Sequence, residues 1–345
     1  MENYNTDYKD YSDYIAVMIS TDRGIFNERS AVRARMVEYA KKYKELHIII
    51  FSKQKYDPQE ISDNCYVYST NSSSKIFYIF DAYFLGKRII KLVNKEDKVL
   101  ITCQDPFETG LVGKSLLGLN LNSELLLQIH TDIFSPFFSK HSYLNRIRLF
   151  ISKFTLPTAN TIRVVSRKIA DSLTINGFDK NLIIVKPIEI NVELFKNNTV
   201  RFSLKDRYKQ FNKIVLVVSR LESEKNIDGA IKAFAIAKKD LHDLGMVIVG
   251  SGREMNNLKK LAYNLGVSDS IVFEGWQNDL IPYYKGADVL LVTSWYEGYG
   301  VVFKEAEATG CKIISTDVGI AKDVGAVIAT WDERDIADKI IKLLK

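Results

Sequence analysis

Apolar runs of strand length alternate with helical patterns along almost the whole chain, and that alternation restricts it to parallel sheets with helices on both faces. In the first half, strands are expected at 14–20, 46–52, 97–103, 124–130, 161–166 and 182–187, with helical periodicity over 30–43 and 74–93 between them. A second strand-and-helix series starts at Ile214. Between the two, Asn191 to Asn212 is polar and weakly patterned, which reads as a linker. At 345 residues the chain exceeds one ordinary domain, and 46% hydrophobic content suffices for two packed cores. Two doubly wound α/β domains would place a ligand crevice beyond the carboxyl ends of their strands.

Several function classes fall away on composition. No apolar run reaches the length of a membrane helix, and Met1 to Ser12 is polar, resembling neither a signal peptide nor a span, so the expected location is cytoplasmic. Cys65, Cys103 and Cys311 are scattered and odd in number, the pattern of buried thiols rather than of a disulfide framework. The four histidines are equally dispersed, so no metal site is expected.

The densest chemistry lies in Ser294-Trp-Tyr-Glu297-Gly298-Tyr299-Gly300-Val-Val-Phe-Lys-Glu305-Ala. The run from Ala287 to Ser294 reads as a buried strand, Gly298 and Gly300 allow a tight turn, and Val301 to Thr309 reads as a short helix stopped by Gly310. Glu297 falls in the turn. On a helical wheel Glu305 lies only about 40° from Val301 and about 60° from Val302, inside the arc that should face the protein. A helix-start acid favoured by the dipole could account for Glu297 but not for Glu305.

Upstream, Ile214-Val-Leu-Val-Val-Ser-Arg220-Leu-Glu-Ser-Glu-Lys225-Asn226 ends a strand in an arginine, followed five residues later by a lysine. A guanidinium fork, an ammonium and the amino end of a helix starting near Asn226 suit a diphosphate. Gly250 and Gly252 follow the strand from Met246, where they form either a ligand-facing loop or a plain turn. Trp276 follows the strand from Ile271 and either faces a ligand or packs at an interface.

The spacing Glu297-x7-Glu305, with the Ser-Arg220-Leu and Lys225-Asn226 elements in order before it, resembles the signature of retaining glycosyltransferases of family 4. The resemblance implies the GT-B fold, two Rossmann-like doubly wound parallel-sheet domains facing across a cleft. Its expected division is a flexible tail over 1–12, an acceptor-binding domain over 13–190, a linker over 191–212 and a nucleotide-sugar-binding domain over 213–345. It implies that Glu297 contacts sugar hydroxyls of the donor, that Glu305 contacts the ribose, and that Arg220 and Lys225 hold the diphosphate. Gly24 occupies the first strand-to-helix loop, where the family often carries a Gly-Gly pair beside the donor phosphate, and the strand end at Trp276 resembles the family's base-contacting loop. His130 ends a parallel strand, where the family often places a histidine near the reacting sugar. Arg23 and Arg33 stand as surface or acceptor contacts. Ser219 and Asn226 replace two glycines common in the family, without removing a cation. Gly319-Ile-Ala-Lys-Asp323 departs from the usual Gly-Gly-x-x-Glu.

The function implied is transfer of a sugar from a nucleotide-sugar donor, itself a substrate, to a glycan or lipid-linked acceptor in cell-surface polysaccharide or glycolipid synthesis. No cofactor, metal or nucleic acid is needed. The competing readings are a GT-B nucleotide-sugar epimerase, for which the extra acids and histidines are not found, and a non-catalytic nucleotide-sugar-binding subunit. The second gains weight because the chain stops at Lys345 after one helix where the family commonly adds another, so the domain is either trimmed or incomplete.

From Ile133 to Ala170 there are seven Lys or Arg residues and no Asp or Glu, against a formal net charge of +6 for the whole chain. Leu144, Ile147, Phe150, Ile151 and Phe154 recur there at helical spacing, interleaved with Arg146, Arg148 and Lys153. Such a segment is either an interfacial surface for anionic lipid, which would make the protein peripheral on the inner face of the cell membrane, or a buried helix face with a solvated basic flank.

Overall fold

The computed structural model describes residues 4–6, 9–197 and 200–345, and the chain divides between Lys186 and Pro187 into two units, each with its own sheet. The first unit contains β1 (Tyr14–Ser20), β2 (Glu45–Ile50), β3 (Gln59–Ser62), β4 (Cys65–Ser69), β5 (Lys98–Cys103), β6 (Ser123–Ile129), β7 (Thr161–Val164) and β8 (Ile183–Val185). They lie in the order β3-β4-β2-β1-β5-β6-β7-β8, and only the β3–β4 pair is antiparallel. Every residue of β1 is buried, as a central strand covered on both faces requires. Helix Ala31–Ala40 covers one face through Val32 and Met36. On the other, a Cβ at Gly113 of helix Glu108–Leu116 would meet Cys103 and Leu125, which shows how closely that helix lies on the sheet.

The second unit contains β9 (Lys213–Val218), β10 (Leu244–Val249), β11 (Ile271–Gly275), β12 (Val289–Val292), β13 (Lys312–Thr316) and β14 (Val327–Ala329). All neighbours are parallel, in the order β11-β10-β9-β12-β13-β14. Chain order reverses between β9 and β12, and at such a switch point the loops beyond the strand ends diverge and leave a crevice. Helices Ile227–Ala237 and Glu333–Leu344 pack on this sheet through Ile231, Phe234, Ile336 and Ile340. Phe234 is wholly buried, and a side chain of that size contributes roughly 1.5–3 kcal/mol by leaving water.

Two expected segments differ. Of the expected tail over 1–12, residues 1–3, 7 and 8 lie outside the described residues, but the remainder is attached to the first unit. The Tyr4 hydroxyl donates to Asp171 Oδ1 at 2.7 Å, Asn5 bridges Ile184, Lys9 pairs with Glu124 at 2.6 Å, and Tyr11 is 3% exposed against Tyr14. Tyrosine rings bury apolar area while keeping a hydroxyl, so a polar-looking segment still packs. The stretch 191–212, expected as a linker, belongs to the second unit, apart from residues 198 and 199, which lie outside the described residues. It carries helices Val192–Asn197 and Leu204–Arg207, with Leu204 fully buried against Gly286 and Phe195 edge-on to Tyr284.

Candidate active site

Two loops meet at the switch point of the second sheet, one leaving β9 at Ser219 and one leaving β12 at Thr293. They are joined by hydrogen bonds to backbone carbonyls. Thr293 Oγ1 donates to Asn226 O at 2.8 Å, Asn226 Nδ2 donates to Thr293 O at 3.1 Å, and Trp295 N donates to Glu224 O at 2.9 Å. Asn226 sits at φ 49°, in the left-handed region that favours glycine and that asparagine tolerates. The second loop is held from below, because Ser294 O accepts from both Thr316 Oγ1 at 2.8 Å and Trp331 Nε1 at 3.0 Å.

This frame brings Lys225 and Glu297 together. Lys225 Nζ donates to Glu297 Oε1 at 2.5 Å, and the two side chains are only 14% and 16% exposed. The same oxygen accepts from Ser294 Oγ at 2.9 Å. Glu297 Oε2 has no hydrogen-bond partner among the described residues, and Lys225 has one partner for its three N–H donors. The pair is thus held in place with acceptor and donor capacity to spare. Arg220 differs: its side chain is 65% exposed and pairs with Glu224 at 3.0 Å, an exposed contact of the kind worth at most about 1 kcal/mol and easily exchanged for a ligand.

Helix Ile227–Ala237 opens directly after Lys225-Asn226 with no side chain capping it, and helix Val301–Thr309 opens after Gly300 in the same way. Uncapped amides and the helix dipole put partial positive charge beside the Lys225–Glu297 pair. Gly300 holds φ 78°, and a Cβ there would sit 2.6 Å from the Phe303 ring. Within the second helix, Glu305 faces inward as the wheel predicts. Its Oε2 accepts from the Tyr284 hydroxyl at 2.7 Å, and burial raises the carboxyl above its usual value while that hydrogen bond opposes the rise.

The glycines near Arg220 act one layer back. Gly250 has φ 138°, a Cβ there would lie 1.8 Å from Ser219 O, and one at Gly252 would lie 2.2 Å from Leu221 O. Backbone therefore packs on backbone, with Leu221 N donating to Ser251 O at 2.9 Å, and the two glycines fix the loop that carries Arg220. Trp276 is 68% exposed, so it does not pack at an interface within its unit. Tyr299 is buried, and its carbonyl accepts from Ile320 N at 3.1 Å, which makes it an anchor of the turn. Gly319, at φ 52°, permits that approach, since a Cβ would meet Tyr299 O at 2.4 Å. Gly298 lies in the turn between Glu297 and Tyr299.

In the first unit, Gly24 lies in a 3-10 turn, Arg23–Phe26, where its N–H donates to Asp22 Oδ1 at 3.1 Å and its carbonyl accepts from Ser30 Oγ at 2.6 Å. The backbone amide expected to face a phosphate is already engaged. Arg23 donates to Phe51 O and Tyr78, and Arg33 to Gln59, so both serve the unit's own structure. His130 follows β6 and is exposed. The burial around the strand end and the Arg163 guanidinium lower its pKa below the usual imidazole value. The sequence reading missed Gln104, which ties the switch point of this sheet together by accepting from Ser20 Oγ and Thr21 N, both at 2.9 Å. It also missed Tyr284 and Thr293. A hydroxyl residue ending an apolar strand was the one available signal for Thr293.

Residues 202–345 match the family model described as glycosyl transferases group 1. The chain is 30% identical over 164 residues to the alpha-monoglucosyldiacylglycerol synthase of Streptococcus pneumoniae, a match covering 45% of this chain and 36% of that protein. The chain spans about 35 to 41% of the length of the first curated relatives it matches. Among solved structures, Anabaena HepE in complex with UDP and glucose superposes with a TM-score of 0.69 at 16% identity, covering 96% of this chain and 90% of that one. Sucrose-phosphate synthase from Thermosynechococcus elongatus superposes at 0.71 and 20% identity, again covering 96% and 90%. The fold of the chain is that of the GT-B glycosyltransferases. Residues 202–345, which hold Lys225, Glu297 and Glu305, carry the likeness to the glycosyl transferases group 1 family.

Proposed function

We propose that the chain transfers a sugar from a nucleotide-diphosphate sugar to a glycan or lipid-linked acceptor, with retention at the anomeric carbon and without a metal. The observation that carries this reading is the Lys225–Glu297 pair at the switch point, flanked by two uncapped helix amino ends. The donor's C1–O bond to the diphosphate breaks as the acceptor oxygen bonds to C1 on the face being vacated, and the acceptor proton passes to the departing phosphate. Lys225, Arg220 and the amide groups opening Ile227–Ala237 stabilise the negative charge that grows on the leaving group. Glu297 Oε2 accepts from a sugar hydroxyl and positions the ring. Glu305 takes the ribose, with Tyr284 holding its carboxylate, and Trp276 offers a face for the base. HepE, solved with UDP and with UDP-glucose, supports a uridine nucleotide as the first donor to try.

The acceptor half of the proposal places the protein on the inner face of the cell membrane, in glycolipid or polysaccharide synthesis. Helix Tyr143–Thr155 exposes Tyr143, Leu144, Ile147, Phe150 and Phe154, so its stripe is not a buried face. Helix Tyr78–Leu92 exposes Phe80 and Phe84. Arg146 and Lys153 are exposed beside the first stripe, giving the mixture of apolar and cationic groups that binds anionic bilayers. Arg148 is not free for this, because Glu108 holds it at 3.0 Å. No helix among the described residues is long and apolar enough to cross a membrane.

Incubation with a panel of nucleotide sugars in the presence of EDTA tests the proposal. Nucleoside diphosphate release from at least one donor, with the α-configured donor giving an α-configured product, is the expected outcome. Binding without release from any donor, even with membrane extract supplied as acceptor, would favour the non-catalytic subunit.

A further inference from the structure

We infer that Arg163 of β7, with Gln128 and His130 of the neighbouring strand, forms a binding site in the first unit for a phosphate group carried by the acceptor. The acceptor clause rests on the transfer reaction proposed above; the anion site itself rests on geometry alone. Gln128 lies opposite Arg163 in the sheet and is 8% exposed. Both ends of its amide are engaged sideways: Nε2 donates to Thr102 Oγ1 at 3.1 Å, and Oε1 accepts from Arg163 Nη1 at 3.3 Å. That long bond is the one hydrogen bond Arg163 makes among the described residues. Among the described residues its Nε is shielded from solvent with no partner, and no carboxylate lies within ion-pairing distance.

A half-buried guanidinium is normally paired, because an unsatisfied buried donor costs about 1–3 kcal/mol and more when it is charged. Here the surroundings add positive charge rather than balance it. No acidic residue occurs from Ile133 to Ala170, and Arg167 and Lys168 begin the helix Arg167–Ile175, whose positive end, with Ser166 Oγ capping the Ile169 amide, lies three residues beyond Arg163. The two acids that flank this stretch are both engaged: Asp171 accepts from the Tyr4 hydroxyl at 2.7 Å, and Asp132 accepts from Ser172 Oγ at 2.9 Å and is neutralised in part by Lys168. His130 lies within the field of Arg163 and is itself exposed at the end of β6. An arginine with unspent donors, a neighbouring imidazole and a helix amino end form an anion receptor at the carboxyl edge of this sheet. Phosphate matches it best, because its oxygens accept from more than one guanidinium N–H.

The His130 ring is the reporter, read by NMR at pH 8 in the intact chain, with its signals identified by His130→Gln and those of His47 as an internal control. The probes are inorganic phosphate and farnesyl phosphate. Both should move the His130 signals saturably and leave His47 in place, with farnesyl phosphate binding more tightly. Arg163→Gln should weaken that response at least about tenfold, and Arg163→Lys less, while UDP binding stays at the wild-type level. A His130 signal unmoved by either probe, or moved equally in wild type and Arg163→Gln, would remove the site. Inorganic phosphate binding as tightly as the ester would overturn its assignment to the acceptor. Loss of UDP binding in the wild type would count against the donor reading without touching this one.

Discussion

The two units share an architecture and differ at their strand ends. Both sheets are parallel, apart from the β3–β4 pair of the first, and chain order reverses at β1/β5 in the first and β9/β12 in the second. In the second, the loops beyond the switch point are bonded to each other through Thr293, Asn226 and Trp295, and a largely buried cation there, Lys225, is paired with Glu297. In the first, a half-buried cation, Arg163, has no carboxylate partner among the described residues, and two helices expose aromatic residues. The difference separates a rigid frame, which pairs its cation and keeps donors and acceptors to spare, from a surface whose cation lacks a carboxylate and whose apolar side chains are exposed. A donor common to many enzymes suits the first kind of site, and an acceptor particular to one suits the second.

The comparison is most exposed to failure at Lys225. Lys225→Ala removes leaving-group stabilisation and strands Glu297 in a half-buried position. Turnover should fall about 100-fold or more, and thermal unfolding should show a loss of up to about 3 kcal/mol. Arg220→Ala, whose side chain is exposed, should lower turnover about tenfold with no change in stability. Equal effects in both assays would mean that the buried pair is not the rigid element described here.

Smaller effects sharpen the account at Glu305. Glu305→Gln should weaken nucleotide-sugar binding by about 1–3 kcal/mol in calorimetric titration, by removing a charge-assisted hydrogen bond. Tyr284→Phe should weaken it by less, about 1 kcal/mol, because the carboxylate remains but loses one donor. A Tyr284→Phe loss larger than that of Glu305→Gln would reverse the roles of ligand contact and support.

The smallest effects belong to the first unit's surface. Arg146→Gln and Lys153→Gln should each reduce binding to anionic vesicles by about 1 kcal/mol in co-sedimentation at low salt, and high salt should reduce wild-type binding similarly. Arg148→Gln should leave vesicle binding unchanged, since Glu108 already neutralises it. An Arg148 effect as large as the other two would show that the helix docks in another orientation.

What could be read from the sequence follows the same division. β1 and the helix Val301–Thr309 appear at their expected bounds, because an unbroken apolar run and a glycine-bounded turn are local signals. The hairpin Gln59–Ser62/Cys65–Ser69 was missed. Its second strand buries Cys65, Val67 and Ser69 in alternation with half-buried tyrosines, and its first carries no apolar run at all. The motif residues of the second unit lie within short stretches, and the resemblance located them. The partners of Thr293, Tyr284 and Gly319 are legible only once the loops and helices that carry them are placed side by side. The Arg148–Glu108 pair spans 40 residues, and the Arg163–Gln128 contact 35, distances over which composition carries no pairing information. The apolar stripe from Leu144 to Phe154 was read correctly as helical, but whether it faced solvent or core depended on the packing around it.

The central claim is that Glu297 addresses the donor's sugar while Lys225 and Arg220 address its diphosphate. Calorimetric titration of wild type and Glu297→Gln with UDP and with the UDP-sugar that the wild type hydrolyses separates the two parts. The account predicts that Glu297→Gln binds UDP no more weakly than wild type, since freeing Lys225 from its partner leaves its charge for the phosphates, and that it loses the additional affinity conferred by the sugar. Parallel loss of UDP and UDP-sugar affinity, or an undiminished sugar contribution, would contradict it.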